Sequence, residues 1–297
     1  MESTPEALFK YLPPSRISVL QDLLIRFTQA SSLNDTLEFR PPIKGVAAPE
    51  QLEDIAREGL APALWSGTSS QNKKIAGRLC PGLPELLGEI FLQTFTQKTA
   101  RQIEHRHTKN PDAAFKEADR SFGIFSLSET PTDVRMWGHY ADGGRGFLIE
   151  FDPKHSWFHG KREERDSFRH LRQVNYVASR PIKYLLDITE LEFLYTKWDV
   201  WKDEKEWRII RNFNDGAKIG DRPDPYGNSI ILFSIPPASI TSVVLGFSLS
   251  NELEKRISAI FSGNANLSRV SLKRAVQSSD TGQVMIISEA KCSEMKQ

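Results

Sequence analysis

The chain is poor in cysteine and in long apolar runs, and each shortage narrows the protein classes to consider. It has only two cysteines, Cys80 and Cys292, so we expect neither a disulfide framework nor a cysteine-based zinc site. No apolar run reaches the roughly 18 residues of a membrane-spanning helix. The longest, near residues 230–247, is broken by Pro236 and Pro237. The first residues lack a basic segment followed by an apolar one, so we expect a cytosolic protein without a membrane partner.

Neither sign of charge predominates. The 39 basic and 38 acidic residues give a formal net charge of +1. No overall field therefore attracts DNA, RNA or an anionic membrane. With 39% hydrophobic and 26% charged residues among 297, the composition is that of a globular protein that can bury a core without disulfide or metal staples.

Apolar periodicity predicts strands separated by helices of irregular length, which indicates a mixed α/β (α+β) domain. The strands are predicted at residues 8–12, 25–29, 123–129, 146–151, 206–211, 230–235 and 242–246. Helices are predicted at about residues 84–120, 132–141, 185–202 and 249–262, and a loop at residues 214–228. We expect one domain, residues 1–297, with a helical insertion at about 48–120 and a motif-bearing core of residues 8–47 and 121–290.

The segment Met136-Trp137-Gly138-His139-Tyr140 could carry chemistry. On a helix, Trp137 and Tyr140 share a face, whereas His139 points elsewhere, close to the end of the preceding strand. Two interpretations stay open. The segment is either a buried aromatic cap on the sheet, with His139 bonded to a carbonyl, or a platform that stacks a planar ring while His139 donates to a ligand.

The segment Glu204-Lys205-Glu206-Trp207-Arg208 is more informative. Alternate residues of a strand share a face, which predicts Glu204, Glu206 and Arg208 on one side. They form either a plain surface ladder or the edge of an active site. In the second case one glutamate binds a substrate hydroxyl and stabilises a developing cation, while the other orients or deprotonates the attacking group.

The order of several short motifs resembles the bacterial family known as domain of unknown function 2971 (DUF2971). The resemblance covers about residues 8–260 and brings no activity with its name. The motifs are Leu8–Tyr11, Arg26–Asp35, Phe125–Glu129, Met136–Ala141, Gly146–Asp152 and Trp201–Arg208.

The layout is also distantly similar to the ADP-ribosyltransferase fold, including its DNA-targeting toxins. That resemblance implies a split mixed sheet with helical insertions. By this resemblance, Lys10-Tyr11 corresponds to the residue pair on the early strand of that fold. Residues 137–140 correspond to the aromatic segment that holds nicotinamide, and Glu206 corresponds to the catalytic glutamate on the late strand. Position 10 is Lys where such folds usually have His or Arg, and their Ser-Thr-Ser triplet is absent.

These patterns lead us to predict an NAD-dependent ADP-ribosyltransferase-like enzyme. It would cleave the nicotinamide–ribose bond of NAD and pass ADP-ribose to a nucleic acid, a protein or water, without a metal. The predicted catalytic residues are Glu206, Glu204 and His139, and the predicted NAD-binding residues are Lys10, Tyr11, Arg26, Trp137 and Tyr140. Further candidate site residues are Asn34, Asp35, Glu129 and Arg208.

Two alternatives belong to other functional classes. One is a non-catalytic module, in phage defence or regulation, that uses the same cleft to bind a nucleotide or nucleic acid. The other is a nuclease that holds a divalent metal with Asp35, Glu129 and Glu206. The transferase hypothesis requires Lys10-Tyr11, residues 137–140 and Glu206 to converge on one cleft, so scattered positions would count against it.

Overall fold

The computed structural model describes residues 4–35, 43–45, 48, 51, 120–162, 166, 168–180, 183–184, 194–225 and 227–288. The chain divides into two compact units. The first comprises residues 1–39, 117–179 and 192–297, and the second comprises residues 40–116 and 180–191. Apart from residues 48, 51 and 120, the predicted helical insertion at residues 48–120 lies outside the described residues.

The elements of both units are short. The strands are β1 (Leu8–Leu12), β2 (Leu24–Phe27), β3 (Ile43–Gly45), β4 (Phe122–Ser128), β5 (Phe147–Phe151), β6 (Arg172–Gln173), β7 (Asn175–Val177), β8 (Lys183–Tyr184), β9 (Thr196–Trp198), β10 (Glu206–Asn212), β11 (Lys218–Pro223), β12 (Ser229–Ser234), β13 (Ile240–Leu245), β14 (Ser271–Gln277) and β15 (Val284–Ser288). The α-helices are α1 (Ser18–Asp22), α2 (Val134–Tyr140) and α3 (Asn251–Gly263). Short 3₁₀ helices cover Pro14–Arg16, Ala30–Ser32, Ser156–Phe158, Asp199–Glu204, Pro237–Ser239 and Ala265–Leu267.

The first unit is built on an eight-stranded sheet in the order β15-β14-β13-β5-β1-β4-β10-β6. Its pairs are antiparallel except for β13 and β14, which run parallel. A three-stranded sheet, β11-β12-β2, and a parallel pair, β7 with β9, complete this unit. In the second unit β3 pairs in parallel with β8. The predicted mixed α+β class is confirmed.

The large sheet is divided between β1 and β4. These two strands share one register pair, Phe9 with Ser128. Further along β4, the residue that pairs with Ile124 is Thr28, which follows β2. Such a division leaves a space between the two strands. Continuous pairing would have closed this space with ladder hydrogen bonds and side chains. The cavity described below lies in this part of the sheet.

Two hydrophobic cores hold the sheet. The larger contains the apolar face of β10, with Trp207 and Ile209, together with Phe125, Phe27 and Ile257 of α3. The smaller lies under α2. It contains Phe9, Tyr11, Met136, Trp137, Ala141, Leu148, Val244, Ala275 and Val284. Among the described residues, no helix is both long enough and apolar enough to cross a membrane.

Local sequence signals explain where α2 and α3 begin and end. Asp133 caps α2 by accepting a hydrogen bond from the Arg135 backbone N–H at 2.8 Å, and Ser250 caps α3 in the same way. After α2 the chain turns at Gly143 and Gly144, whose φ angles of 64° and 79° lie in the region that glycine adopts without strain. The predicted starts of both helices and the predicted stop of α2 are confirmed.

Two predictions of local structure were wrong. Residues 218–223, predicted as part of a loop, form β11 and pair with β12. Residues 196–198, predicted as helical, form β9 and pair with β7. In both cases a neighbouring strand decides the conformation, and local propensity does not report such pairing.

Candidate functional site

A cavity of about 190 Å³ opens beside β1, β4, β10 and α2 in the first unit. It is lined by Phe9, Lys10, Tyr11, Thr28, Ser32, Leu33, Asn34, Ile124, Ser126, Leu127, Ser128, Met136, Tyr140, Lys197, Glu204, Glu206 and Arg208. Both segments singled out in the sequence therefore contribute to its wall. Three cations and two carboxylates line it, which leaves one positive charge in excess.

A buried network of ion pairs forms one side of the cavity. Lys197 Nζ donates to Glu204 Oε2 at 2.6 Å and to Glu206 Oε2 at 2.8 Å. Arg208 binds Glu206 with two nitrogens, Nε to Oε1 at 2.7 Å and Nη2 to Oε2 at 3.0 Å. The side chains are between 1% and 11% exposed, so water screens these charges little.

The strand geometry predicted for this segment was correct for two residues and wrong for the third. Glu206 and Arg208 lie on the cavity face of β10, with Trp207 and Ile209 in the core behind them. Glu204, however, precedes the strand, because it ends the 3₁₀ helix Asp199–Glu204. Lys205 then turns the chain with a φ of 44°, and Glu204 reaches the same cavity from the helix.

Tyr140 and two backbone contacts fix the glutamates. The Tyr140 hydroxyl donates to Glu204 Oε1 at 2.8 Å, and Asn34 is hydrogen-bonded to Tyr140. Ser128 Oγ donates to the Glu204 carbonyl oxygen at 2.7 Å, while the Glu206 backbone N–H donates to the Tyr176 hydroxyl. Burial raises the pKa of Tyr140, and the Glu204 carboxylate raises it further, so Tyr140 stays a neutral donor.

Lys10 adds a third positive charge to the wall of the cavity, beside Lys197 and Arg208. Its Nζ donates to the Ser126 carbonyl oxygen at 2.9 Å and lies 5.3 Å from the centre of the Phe125 ring. No salt bridge joins Lys10 to any carboxylate among the residues that the structure describes. Burial lowers the pKa of Lys10 to about 8, and Glu206, acting at longer range, only partly opposes this. Lys10 is therefore charged at pH 7 and has donor capacity to spare.

The structure separates Trp137 and His139 from this group. Trp137 is fully buried in the smaller core, where its ring meets Tyr11 edge-on at 5.4 Å and packs near Phe247. Its indole N–H donates to the Pro131 carbonyl oxygen at 2.8 Å. His139 is exposed and lines a second, smaller depression together with Val200 and Trp201. Of the predicted aromatic platform, only Tyr140 faces the cavity.

Three more predicted residues lie apart from the cavity wall. Arg26 pairs with the buried carboxylate of Asp224 at 2.6 Å, which ties β2 to the residues that follow β11. Glu129 accepts a hydrogen bond from the Trp207 indole at 2.6 Å. Asp35 is near enough to Arg208 to raise the pKa of its guanidinium, against the larger lowering by burial, but it does not line the cavity.

No metal-binding group is assembled in the part of the chain that the structure describes. There, no three His, Cys, Asp or Glu side chains are placed to hold one ion. In particular, Glu129 and Glu206 point to different partners, an indole and a pair of cations. The carboxylate set that the nuclease hypothesis requires is thus not found among these residues.

Sequence reasoning missed Lys197 and Tyr176 as site residues. The helix predicted for residues 185–202 gave Lys197 no face toward the glutamates. The signal that identifies both residues is the β7–β9 pair, which sets Tyr176 beside Lys197. That pairing is a tertiary contact with no local sequence signature.

The comparisons with known proteins concern the segment that carries both motifs. No curated protein and no solved structure matches the chain, so the link to the ADP-ribosyltransferase fold stays a prediction. A family match covers residues 136–209, which include most of α2, all of β5, β7 and β9, and the start of β10. Tyr140, Lys197, Glu204 and Glu206 all lie in this segment, which matches the family described as "Protein of unknown function (DUF2971)".

Proposed function

We propose that the protein is an NAD-dependent ADP-ribosyltransferase-like enzyme that cleaves the nicotinamide–ribose bond in this cavity. The observation that carries the proposal is the convergence of Lys10, Tyr140 and Glu206 on one cavity from three separate elements, β1, α2 and β10. The transferase hypothesis requires this convergence. The single register pair between β1 and β4, which leaves room for a ligand, supports it further.

The size of the cavity limits what enters it. About 190 Å³ is less than the roughly 300–1,000 Å³ of pockets that enclose a drug-sized ligand. We therefore propose that the cavity takes the nicotinamide riboside end of NAD and that the adenosine end lies outside it. The Tyr140 ring would contact the nicotinamide, and Lys10 would bind the nearer phosphate.

The two glutamates differ in the hydrogen bonds that they can still accept. A carboxylate accepts about four. From the described residues, Glu206 already accepts three, two from Arg208 and one from Lys197, whereas Glu204 accepts two, from Tyr140 and Lys197. Glu206 can thus hold one ribose hydroxyl, and Glu204 can hold the acceptor group.

The proposed reaction follows from these positions. The bond between ribose C1′ and the nicotinamide nitrogen breaks, and its electron pair leaves with nicotinamide. Positive charge develops on the ribose, where the carboxylate of Glu206 stabilises it. The acceptor then bonds to C1′ and gives its proton to Glu204. A cytosolic protein, as expected from the sequence, would have access to the NAD of the cytosol.

The experiment is incubation of the protein with NAD that carries one label in nicotinamide and another in ADP-ribose. Cell extract, purified nucleic acid and buffer serve as acceptors. We expect free nicotinamide in all three, and labelled macromolecule in at least one of the first two. If wild type releases no more nicotinamide than Glu206→Gln and labels nothing, the proposal is wrong.

Lys10 gives a second prediction. Because the ammonium has no salt-bridge partner among the described residues, we expect Lys10→Met to weaken NAD binding about tenfold, which corresponds to the loss of one charge-assisted contact of about 1.4 kcal/mol. Burial lowers the pKa of Lys10 to about 8, so wild-type affinity should fall as the pH rises through that value. The affinity of Lys10→Met should not show this fall. Calorimetric titration between pH 6 and 9 measures both effects, and equal pH dependence in the two proteins would contradict them.

One observation favours a second candidate, nucleotide binding without turnover. Arg208 and Lys197 already neutralise Glu206, which reduces what its carboxylate can offer to a developing cation. A binding module of this kind predicts that NAD raises the melting temperature while no nicotinamide is released. Saturation at 100 times the dissociation constant would stabilise the fold by about 2.7 kcal/mol. The labelled-NAD experiment therefore separates the two candidates.

A further inference from the structure

Lys197 occupies the centre of the buried network, although nothing in its sequence neighbourhood marks it. It lies in β9, is 6% exposed, and uses one ammonium to bind both glutamates, at 2.6 and 2.8 Å. The two oxygen atoms that share this ammonium are consequently only a few ångströms apart. Two carboxylates at such separation in a buried site do not both stay ionised without a cation, because their repulsion raises one pKa strongly.

We propose that Lys197 is a positioning residue that keeps Glu204 and Glu206 ionised together and without which the two carboxyl groups share one proton. The ionisation itself does not depend on NAD chemistry. The catalytic role of this ionisation rests on the proposed function, in which Glu206 must be negative to stabilise the ribose cation and Glu204 must be negative to accept a proton.

The other groups around the pair do not replace Lys197. Arg208, on β10, binds both oxygens of Glu206 and also donates to the Leu194 carbonyl oxygen. Lys10, on β1, donates to the Ser126 carbonyl oxygen. Among the described residues, Asp35 also acts on this network, through Arg208, and it adds negative charge. In the part of the chain that the structure describes, Lys197 is thus the cation that pairs with Glu204.

Tyrosines complete the surroundings of Lys197. Tyr140 on α2 and Tyr176 on β7 both act on the charges of the pair. Burial raises the pKa of each, and the nearby glutamates raise it further, so both are neutral near pH 7. Burial by itself lowers the pKa of Lys197, but Glu206 and Glu204 outweigh it and hold the pKa above its ordinary value. Lys197 therefore stays charged over the physiological pH range.

The test compares full-length wild type with Lys197→Met by following the glutamate side-chain carboxyl signals in carbon-13 NMR. Glu204→Gln and Glu206→Gln assign the two signals. In Lys197→Met, we expect one of the two carboxyl groups to titrate at a clearly higher pH than either does in wild type. Lys197→Arg keeps the charge and should titrate like wild type. Identical titrations of wild type and Lys197→Met would overturn the proposal.

A double variant keeps the test decisive if Lys197→Met folds poorly. Adding Glu204→Gln to Lys197→Met removes one of the two repelling charges, so the melting temperature at pH 8 should rise above that of Lys197→Met. A merely structural lysine predicts no such rescue, and its absence would overturn the proposal.

Turnover of NAD is a separate readout. We expect Lys197→Met to release nicotinamide about tenfold or more slowly than wild type at pH 7, with partial recovery as the pH rises and the shared proton is lost. If wild type itself releases no nicotinamide, the proposed function fails, while the carbon-13 titrations still decide the role of Lys197.

Discussion

Arg208→Met should destabilise the protein by about 3–5 kcal/mol, because it removes one partner of a buried ion pair and leaves Glu206 to share the single ammonium of Lys197 with Glu204. The Arg208 side chain is 1% exposed and binds Glu206 through two nitrogens. The hydrogen bond from Arg208 to the Leu194 carbonyl oxygen at 2.9 Å is lost as well. Urea unfolding, with the slope compared between variants, measures the change in the free energy of unfolding.

Two further variants show whether the ion pair is the cause. Arg208→Met combined with Glu206→Met replaces the pair by apolar groups and should recover a large part of the lost stability. Arg135→Met breaks an exposed pair with Asp133 and Asp203 and should change stability little. A double variant no more stable than Arg208→Met would show that side-chain packing, and not the charge of Glu206, dominates the effect.

Trp137→Ala is the second substitution from which we expect a large loss, again about 3–5 kcal/mol. The indole is 0% exposed, meets Tyr11 edge-on at 5.4 Å and lies 5.6 Å from Phe247, so its removal opens a void in the smaller core. It also leaves the Pro131 carbonyl oxygen without its donor. Chemical unfolding is again the measurement.

The same substitution shows whether Trp137 packs the core or stacks a ligand. His139→Ala, at an exposed position two residues away on the same helix, should be close to wild type in stability. If Trp137 serves only the core, folded Trp137→Ala should bind NAD with nearly wild-type affinity at low temperature. A stable Trp137→Ala that has lost NAD binding would restore the stacking role predicted from the sequence.

The sequence predicted the strand face of the site well because alternation is a local property. The order Glu206-Trp207-Arg208-Ile209 is sufficient to put the charges on one face and the apolar side chains on the other. Asp133 likewise identifies the start of α2 by its capping chemistry. Both signals act over a few residues and do not depend on the rest of the fold.

The parts that the sequence did not predict depend on contacts between distant segments. Lys197 lies among charged and aromatic residues that also suit a solvated face, and only the pairing of β9 with β7 directs it toward the glutamates. Trp137 suits a core or a ligand platform equally well until its neighbours are known. The same holds for Arg26, whose partner Asp224 follows almost two hundred positions later.

The rate of nicotinamide release by Glu206→Gln, compared with wild type, tests the central claim most directly. Glutamine keeps the size of the side chain and removes the charge that is proposed to stabilise the ribose cation. Glu254→Gln is the matched control. Glu254 lies on α3 and pairs with Arg274, so this substitution removes a carboxylate that is away from the cavity. We expect a loss of about 10²–10³-fold for Glu206→Gln and almost none for Glu254→Gln. Equal rates for Glu206→Gln and wild type would contradict the assignment of this cavity as the site of NAD cleavage.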